Sequence, residues 1–201
     1  MVHPAWQPSL LDGGPVTFGR TFSAVRRREL ADDAWVDHGP GWCGGSDELF
    51  ARLLERTPWR GRDVRLYDQV VAEPRLTHRW TLADAPDDLR DMADVLSGRY
   101  GVRFTQVGVN LYRDGADSVA WHGDRVAREL PEATVALVSL GAVRPFRLRP
   151  TGGGPSVLYR PGPGDLLVMG GSCQRTWQHA VPKCGGAGAR ISVQFRHAYV
   201  R

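Results

Sequence analysis

The chain has 201 residues, 42% of them hydrophobic and 24% charged, with a net charge of +4 and a pI near 9.3. That balance excludes a disordered polyelectrolyte, and no apolar run approaches the roughly 18–20 residues that cross a bilayer as a helix. The 24 glycines and 14 prolines favour many tight turns, hence an α+β or mostly β architecture over a helical bundle.

Residues 1 to about 45 carry several prolines and glycines and one short predicted strand at 16–18. The opening Met-Val-His-Pro-Ala-Trp-Gln lacks a basic flank followed by an apolar block, so no secretion signal is read there and a cytoplasmic location is expected. Ser46, Asp47 and Glu48 signal a helix start, with Ser46 as the expected cap and acidic residues in the first turn. Leu49, Phe50, Leu53 and Leu54 then form a helical stripe that Pro58 ends. Residues 63–71 read as a strand, and an extended segment runs from Pro74 to Trp80. A second helix fits Pro86 to Tyr100, with Leu89, Met92, Ala93 and Leu96 on one face.

From residue 103 the pattern becomes short β pieces: 104–112, 117–121, 134–140, 145–149, 156–160, 165–169, 174–179 and 190–198. Turn clusters such as 151–155 (Thr-Gly-Gly-Gly-Pro) and 161–164 (Pro-Gly-Pro-Gly) separate them. Eight short strands so spaced suggest a double-sheet jelly roll or a small barrel. The expected organisation is one domain over 1–201. It comprises an N-terminal extension (1–45), helices and a recognition region (46–102) and a β core (103–201).

Cys43, Cys173 and Cys184 are odd in number and lack zinc-type spacing, which fits thiols in a reducing compartment. Nearly every basic residue is Arg, Lys183 being the only Lys. A basic surface is compatible with nucleic-acid phosphates, although by itself it identifies no partner.

The chemistry concentrates at His122 and Asp124. In extended backbone, residues i and i+2 point to one side, so an imidazole and a carboxylate can meet one cation. A two-His, one-carboxylate face needs a third ligand, and the chain offers His3, His38, His78, His179 and His197. His179 ends a predicted strand that could pair with the one carrying His122.

Residues 190–196 alternate strictly, Ile191, Val193 and Phe195 on one side and Arg190, Ser192, Gln194 and Arg196 on the other. Such a polar face ordinarily meets water. In a jelly roll it can line the interior instead. There the two arginines, about 20 Å apart at the Cα atoms at ~3.3 Å per residue, could lean together onto a small dicarboxylate. Asn110 and Tyr112 share one strand face and could add hydrogen bonds to the same acid.

Together these residues resemble the AlkB family of Fe(II)- and 2-oxoglutarate-dependent dioxygenases. The matching pieces are 110–115 (Asn-Leu-Tyr-Arg-Asp-Gly), 121–124 (Trp-His-Gly-Asp), 138–141 (Val-Ser-Leu-Gly), 164–170, 178–182 (Gln-His-Ala-Val-Pro) and 190–196 (Arg-Ile-Ser-Val-Gln-Phe-Arg). Residues 74–76 (Pro-Arg-Leu) resemble the start of the family's nucleotide-recognition region. The resemblance covers about residues 60 to 198. It implies a double-stranded β-helix with N-terminal elements packed on it, and oxidative demethylation of N-alkylated bases in DNA or RNA as repair of alkylation damage. Cosubstrates would be 2-oxoglutarate and O2, and products would be succinate, CO2 and formaldehyde.

Carried over by position, the resemblance makes His122, Asp124 and His179 the iron ligands. It makes Asn110, Tyr112, Arg190, Ser192 and Arg196 the 2-oxoglutarate contacts. Substrate contacts are expected from Arg75, His78, Trp80, Trp121 and Arg125, and a monomer that binds single-stranded nucleic acid and no membrane is expected.

Two departures bear on substrate. The family's acidic residues just after the Asp ligand are absent or displaced to Glu129, and the recognition region reads as shortened, without its usual hairpin. The alternatives are a 2-oxoglutarate-dependent hydroxylase of a protein, modified RNA or small molecule, and a jelly-roll binding module without turnover.

Overall fold

A computed structural model describes residues 14–66, 69–124, 126 and 130–197. The fold is mainly antiparallel β-sheet with few helices. Strands β1 (Thr17–Phe18), β2 (Arg26–Glu29), β3 (Ala34–Gly39) and β4 (Cys43–Gly44) precede helix α1 (Ser46–Arg56). A hairpin of β5 (Arg60–Leu66) and β6 (Gln69–Thr81) leads to α2 (Asp87–Tyr100). Then follow β7 (Gln106–Tyr112), β8 (Val119–His122), β9 (Val135–Gly141), β10 (Phe146–Pro150), β11 (Val157–Tyr159) and β12 (Leu166–Gly171). A helical turn, α3 (Cys173–Thr176), precedes β13 (Trp177–Val181) and β14 (Arg190–Arg196).

The large sheet has the order β2-β3-β12-β9-β14-β7-β6-β5, and the small sheet β11-β10-β13-β8. Among the described residues β1 pairs with β4 alone. Two cores follow from the period-2 alternation of the large sheet. On one face Val107, Val109, Leu111, Val138, Ile191, Val193 and Phe195 pack with Leu49, Phe50 and Leu53 of α1 and Leu89, Met92 and Leu96 of α2. On the other face Val36, Val135, Leu137, Leu167 and Met169 meet Phe146, Leu148 and Trp177 of the small sheet. β9 is therefore buried on both faces. No helix among the described residues is long and apolar enough to cross a membrane.

Several elements differ from the sequence expectation. β2 and β3 were not expected: Arg26–Glu29 is a wholly exposed edge strand with no apolar residue, so it lacks the alternation that marks a half-buried strand. Ser46 is the first residue of α1 and not its cap. The cap is Gly45 at φ 64, where a Cβ would lie 2.5 Å from the Pro15 carbonyl oxygen, so both backbone and space demand glycine. The segment 174–179 is not one strand, because α3 occupies its first part. As expected, no further strand lies among the described residues between β6, which ends at Thr81, and α2, which begins at Asp87; upstream of this, β5 and β6 pair antiparallel.

Candidate metal centre

His122 closes β8 and His179 lies on β13, and the two are register partners across the small sheet. Their rings stand 4.2 Å apart, centroid to centroid. Asp124 lies two residues beyond His122. The ligand-capable atoms of His122, Asp124 and His179 all fall within 4.8 Å of one another. The Nδ1 of His122 is 2.9 Å from the Ala120 carbonyl oxygen. A carbonyl only accepts, so the ring donates from Nδ1, which turns Nε2 toward the cluster as the nitrogen that can ligate a metal. His179 is buried and stacks on Phe146 at 5.4 Å. Burial first, then His122, lowers its pKa to about 3, so the imidazole is neutral at physiological pH and able to ligate.

Asp124 is held from two directions. Its backbone N–H donates to Gln174 Oε1 at 3.0 Å, and its carboxylate accepts from Arg196 Nη2 at 3.1 Å on each oxygen. Burial pushes its carboxyl pKa up, but Arg196 and the two imidazoles outweigh that and bring it to about 2. The aspartate is thus ionised whenever the protein is folded near neutrality. Gln174, supplied by α3, was not expected from sequence, because its segment reads as strand and gives no sign of a turn aimed at residue 124.

A cleft of about 900 Å³ opens between the sheets beside this cluster. One wall is the polar face of β14: Arg190, Ser192, Gln194 and Arg196 all line it. The register sets Arg190 opposite Tyr112, Ser192 opposite Asn110, Gln194 opposite Gly108 and Arg196 opposite Gln106, so four of the five expected 2-oxoglutarate contacts are cross-strand neighbours. Arg190 is buried, bonded to the Ser139 hydroxyl at 2.9 Å, and its Nη2 has no hydrogen-bond partner among the described residues. Burial, against the pull of Tyr112, lowers its pKa to about 10. A fully buried guanidinium with an idle donor at a cleft wall fits an anionic ligand. Gln194 donates to the Ser192 hydroxyl at 2.8 Å and accepts from Arg196 at 3.4 Å. Its place on the polar face was visible in sequence, whereas its bridging role was not.

The expected substrate contacts separate. Arg75 lines the cleft, as do Arg60 and Arg79. His78 also borders it, but its register partner Val109 belongs to the helix-side core, and its ring meets Trp80 edge-on at 4.6 Å. Trp80 lines a different groove of about 410 Å³ beside α1 and α2. Trp121 is not among the cleft-lining residues, and its ring lies under the Arg149 guanidinium at 4.2 Å. The register between β8 and β13 shifts beside it, from His122–His179 to Val119–Val181. Arg125 and Glu129 lie outside the described residues.

Two imidazoles and one carboxylate at a cleft are the donor set of non-haem Fe(II) oxygenases, and an independent comparison agrees. Residues 71–196 match the 2OG-Fe(II) oxygenase superfamily, and the chain belongs to that superfamily, whose members take Fe(II), 2-oxoglutarate and O2. The similarity is to AlkB homologues. Alpha-ketoglutarate-dependent dioxygenase alkB homolog 3 of Homo sapiens is 30% identical over 177 residues, 77% of this chain and 62% of that protein. The Bos taurus protein of the same name gives the same identity and coverage. DNA oxidative demethylase ALKBH2 of Arabidopsis thaliana is 28% identical over 191 residues, 74% of this chain and 60% of its own length. The chain spans about three fifths of the length of the curated relatives it matches.

Proposed function

We propose that this protein is an Fe(II)- and 2-oxoglutarate-dependent dioxygenase that oxidatively demethylates N-alkylated nucleobases in DNA or RNA. We read its two facing sheets as one double-stranded β-helix domain spanning the chain. The observation that carries the proposal is the meeting of His122, Asp124 and His179 beside the polar face of β14. These three residues would hold the iron, and Asn110, Tyr112, Arg190, Ser192 and Arg196 the dicarboxylate. When bound, the metal and its cosubstrate supply the oxidising power for the N-alkyl carbon, which leaves as formaldehyde.

The chain's own residues supply position and charge. Arg196 keeps Asp124 ionised and oriented, while Ala120 and Gln174 fix His122 and the Asp124 backbone. Arg60, Arg75 and Arg79 at the cleft give the positive potential that a phosphate backbone requires. A base held in a duplex must be flipped out at a cost of a few kcal/mol, so a single strand is the simpler substrate, bound by a monomer. The three cysteines form no disulfide, which suits a cytoplasmic enzyme.

A second reading has its own observation. Among the described cleft-lining residues Asp124 is the only carboxylate, so no other described acid is placed to pair with a cationic methylated base. That favours a neutral base or a substrate other than a nucleobase. Both readings are tested by incubation with Fe(II), 2-oxoglutarate and methylated single-stranded oligonucleotides. Formaldehyde and succinate released together support demethylation. Succinate without base repair supports the second reading. Absence of both, with no 2-oxoglutarate binding, would defeat the two together.

A further inference from the structure

Arg144 lies in the turn between β9 and β10 and is wholly buried, which for an arginine demands partners. The partners are backbone carbonyls. Nη1 donates to the Asp114 oxygen at 2.7 Å, and Nη2 donates to those of Asp117 at 2.7 Å and Pro182 at 3.1 Å. The first two belong to the connection from β7 to β8, and the third to the connection from β13 to β14. One guanidinium therefore ties together the two loops that join the strands carrying Asn110, Tyr112 and Arg190 to those carrying His122 and His179. The junction is tight. Arg113 pairs with the buried Asp117 at 2.8 Å, and the Cys184 N–H donates to the Gly115 oxygen at 2.9 Å. A Cβ on Gly115 would stand 1.7 Å from the Cys184 oxygen.

The charge matters as well as the bonds. The guanidinium carbons of Arg144 and Arg190 each lie 5.4 Å from the centroid of the Tyr112 ring. Neither arginine has an ion-pair partner among the described residues. Arg144 also leaves its Nε without a hydrogen bond, as Arg190 leaves its Nη2. Carbonyl dipoles and one phenol ring offset such charges only in part, and in a poorly solvated interior the uncompensated remainder is felt at longer range than in water.

We propose that Arg144 is a positioning residue for the dicarboxylate cosubstrate. It fixes the Tyr112 phenol and the two connecting loops, and it adds a second buried positive charge behind the Arg190 subsite without touching the ligand. This inference rests on the 2-oxoglutarate reading given above.

The test uses the full chain loaded with Mn(II) under anaerobic conditions, with calorimetric titration of 2-oxoglutarate, and separately of Mn(II) into the metal-free protein. Arg144→Gln removes the charge. Arg144→Lys keeps the charge and cannot reach three carbonyls. The expected result is a 2-oxoglutarate Kd raised about tenfold by Gln and about threefold by Lys, with Mn(II) affinity changed less than about twofold. In turnover, KM for 2-oxoglutarate rises more than kcat falls. A lowered Tm with wild-type 2-oxoglutarate affinity overturns the proposal, as does equal weakening of Mn(II) and 2-oxoglutarate. If neither variant folds, Arg144 is a determinant of the fold alone and the proposal is overturned. If the unsubstituted protein binds Mn(II) but not 2-oxoglutarate, the cosubstrate reading itself fails and takes the proposal with it.

Discussion

Arg196, the last residue of β14, holds Asp124, just past the end of β8, through a single nitrogen 3.1 Å from each carboxylate oxygen. Arg196 lies in the large sheet and Asp124 just follows a strand of the small sheet, so the pair ties the two sheets together beside the cleft. Both side chains are largely shielded, at 16% and 12% exposure. Removing one partner of a shielded pair costs about 3–5 kcal/mol because the other is left uncompensated. Arg196→Ala should therefore lower the Tm of the metal-free protein markedly, and Mn(II) should restore more of the loss than it adds to the wild type. Thermal melts with and without Mn(II) decide this. Equal Mn(II) shifts in both proteins would count against a shared role for Asp124.

Asp124→Ala removes the single anionic member of the cluster. The expected outcome is loss of the Mn(II)-induced thermal shift and of succinate release, with a folded protein by circular dichroism. Chelation of the wild type should reproduce the catalytic loss, and re-addition of Fe(II) should reverse it. Retained turnover in Asp124→Ala would remove this aspartate from the metal centre.

The pH dependence of stability in the metal-free protein follows from His179. Its folded pKa of about 3 lies below the unfolded value of about 6.5. As pH falls, the unfolded chain therefore takes up the proton first. Stability is full above about pH 6.5 and declines toward pH 3. Asp124, at about 2 folded, adds a further loss below about pH 4. Urea midpoints measured between pH 7 and 5 should fall in the wild type and stay flatter in His179→Gln. Parallel profiles would show that another group titrates there.

Gly115→Ala should be among the most damaging small substitutions outside the cluster. Its Cβ would meet the Cys184 backbone oxygen at 1.7 Å, and backbone cannot swing aside as a side chain can. A destabilisation of about 1–3 kcal/mol or more is expected, read as a lowered urea midpoint. A wild-type midpoint would mean that the two loops separate freely.

The features legible in sequence were those with a period. The stripe of α1, the face of α2 and the alternation of residues 190–196 each predicted an element that is present, and the mainly β character of the second half was plain. The spacing of His122 and Asp124 pointed to a shared side, and the spatial neighbourhood with His179 follows from pairing of β8 with β13. Residues without periodicity stayed hidden. β2 is a charged edge, α3 is one turn long, and Gln174 and Arg144 act through contacts 50 and 27 to 38 residues away. Trp121 reads as a stacking residue by type alone, whereas in the fold its ring lies under the Arg149 guanidinium.

β14 runs between β7 and β9 with hydrocarbon packed behind it and the polar groups of the cleft in front. Sliding it by one residue would drive guanidinium groups into the helix-side core and turn Phe195 into the cleft, so the strand has no tolerated neighbouring alignment. Its amide protons should be among the last to exchange with solvent.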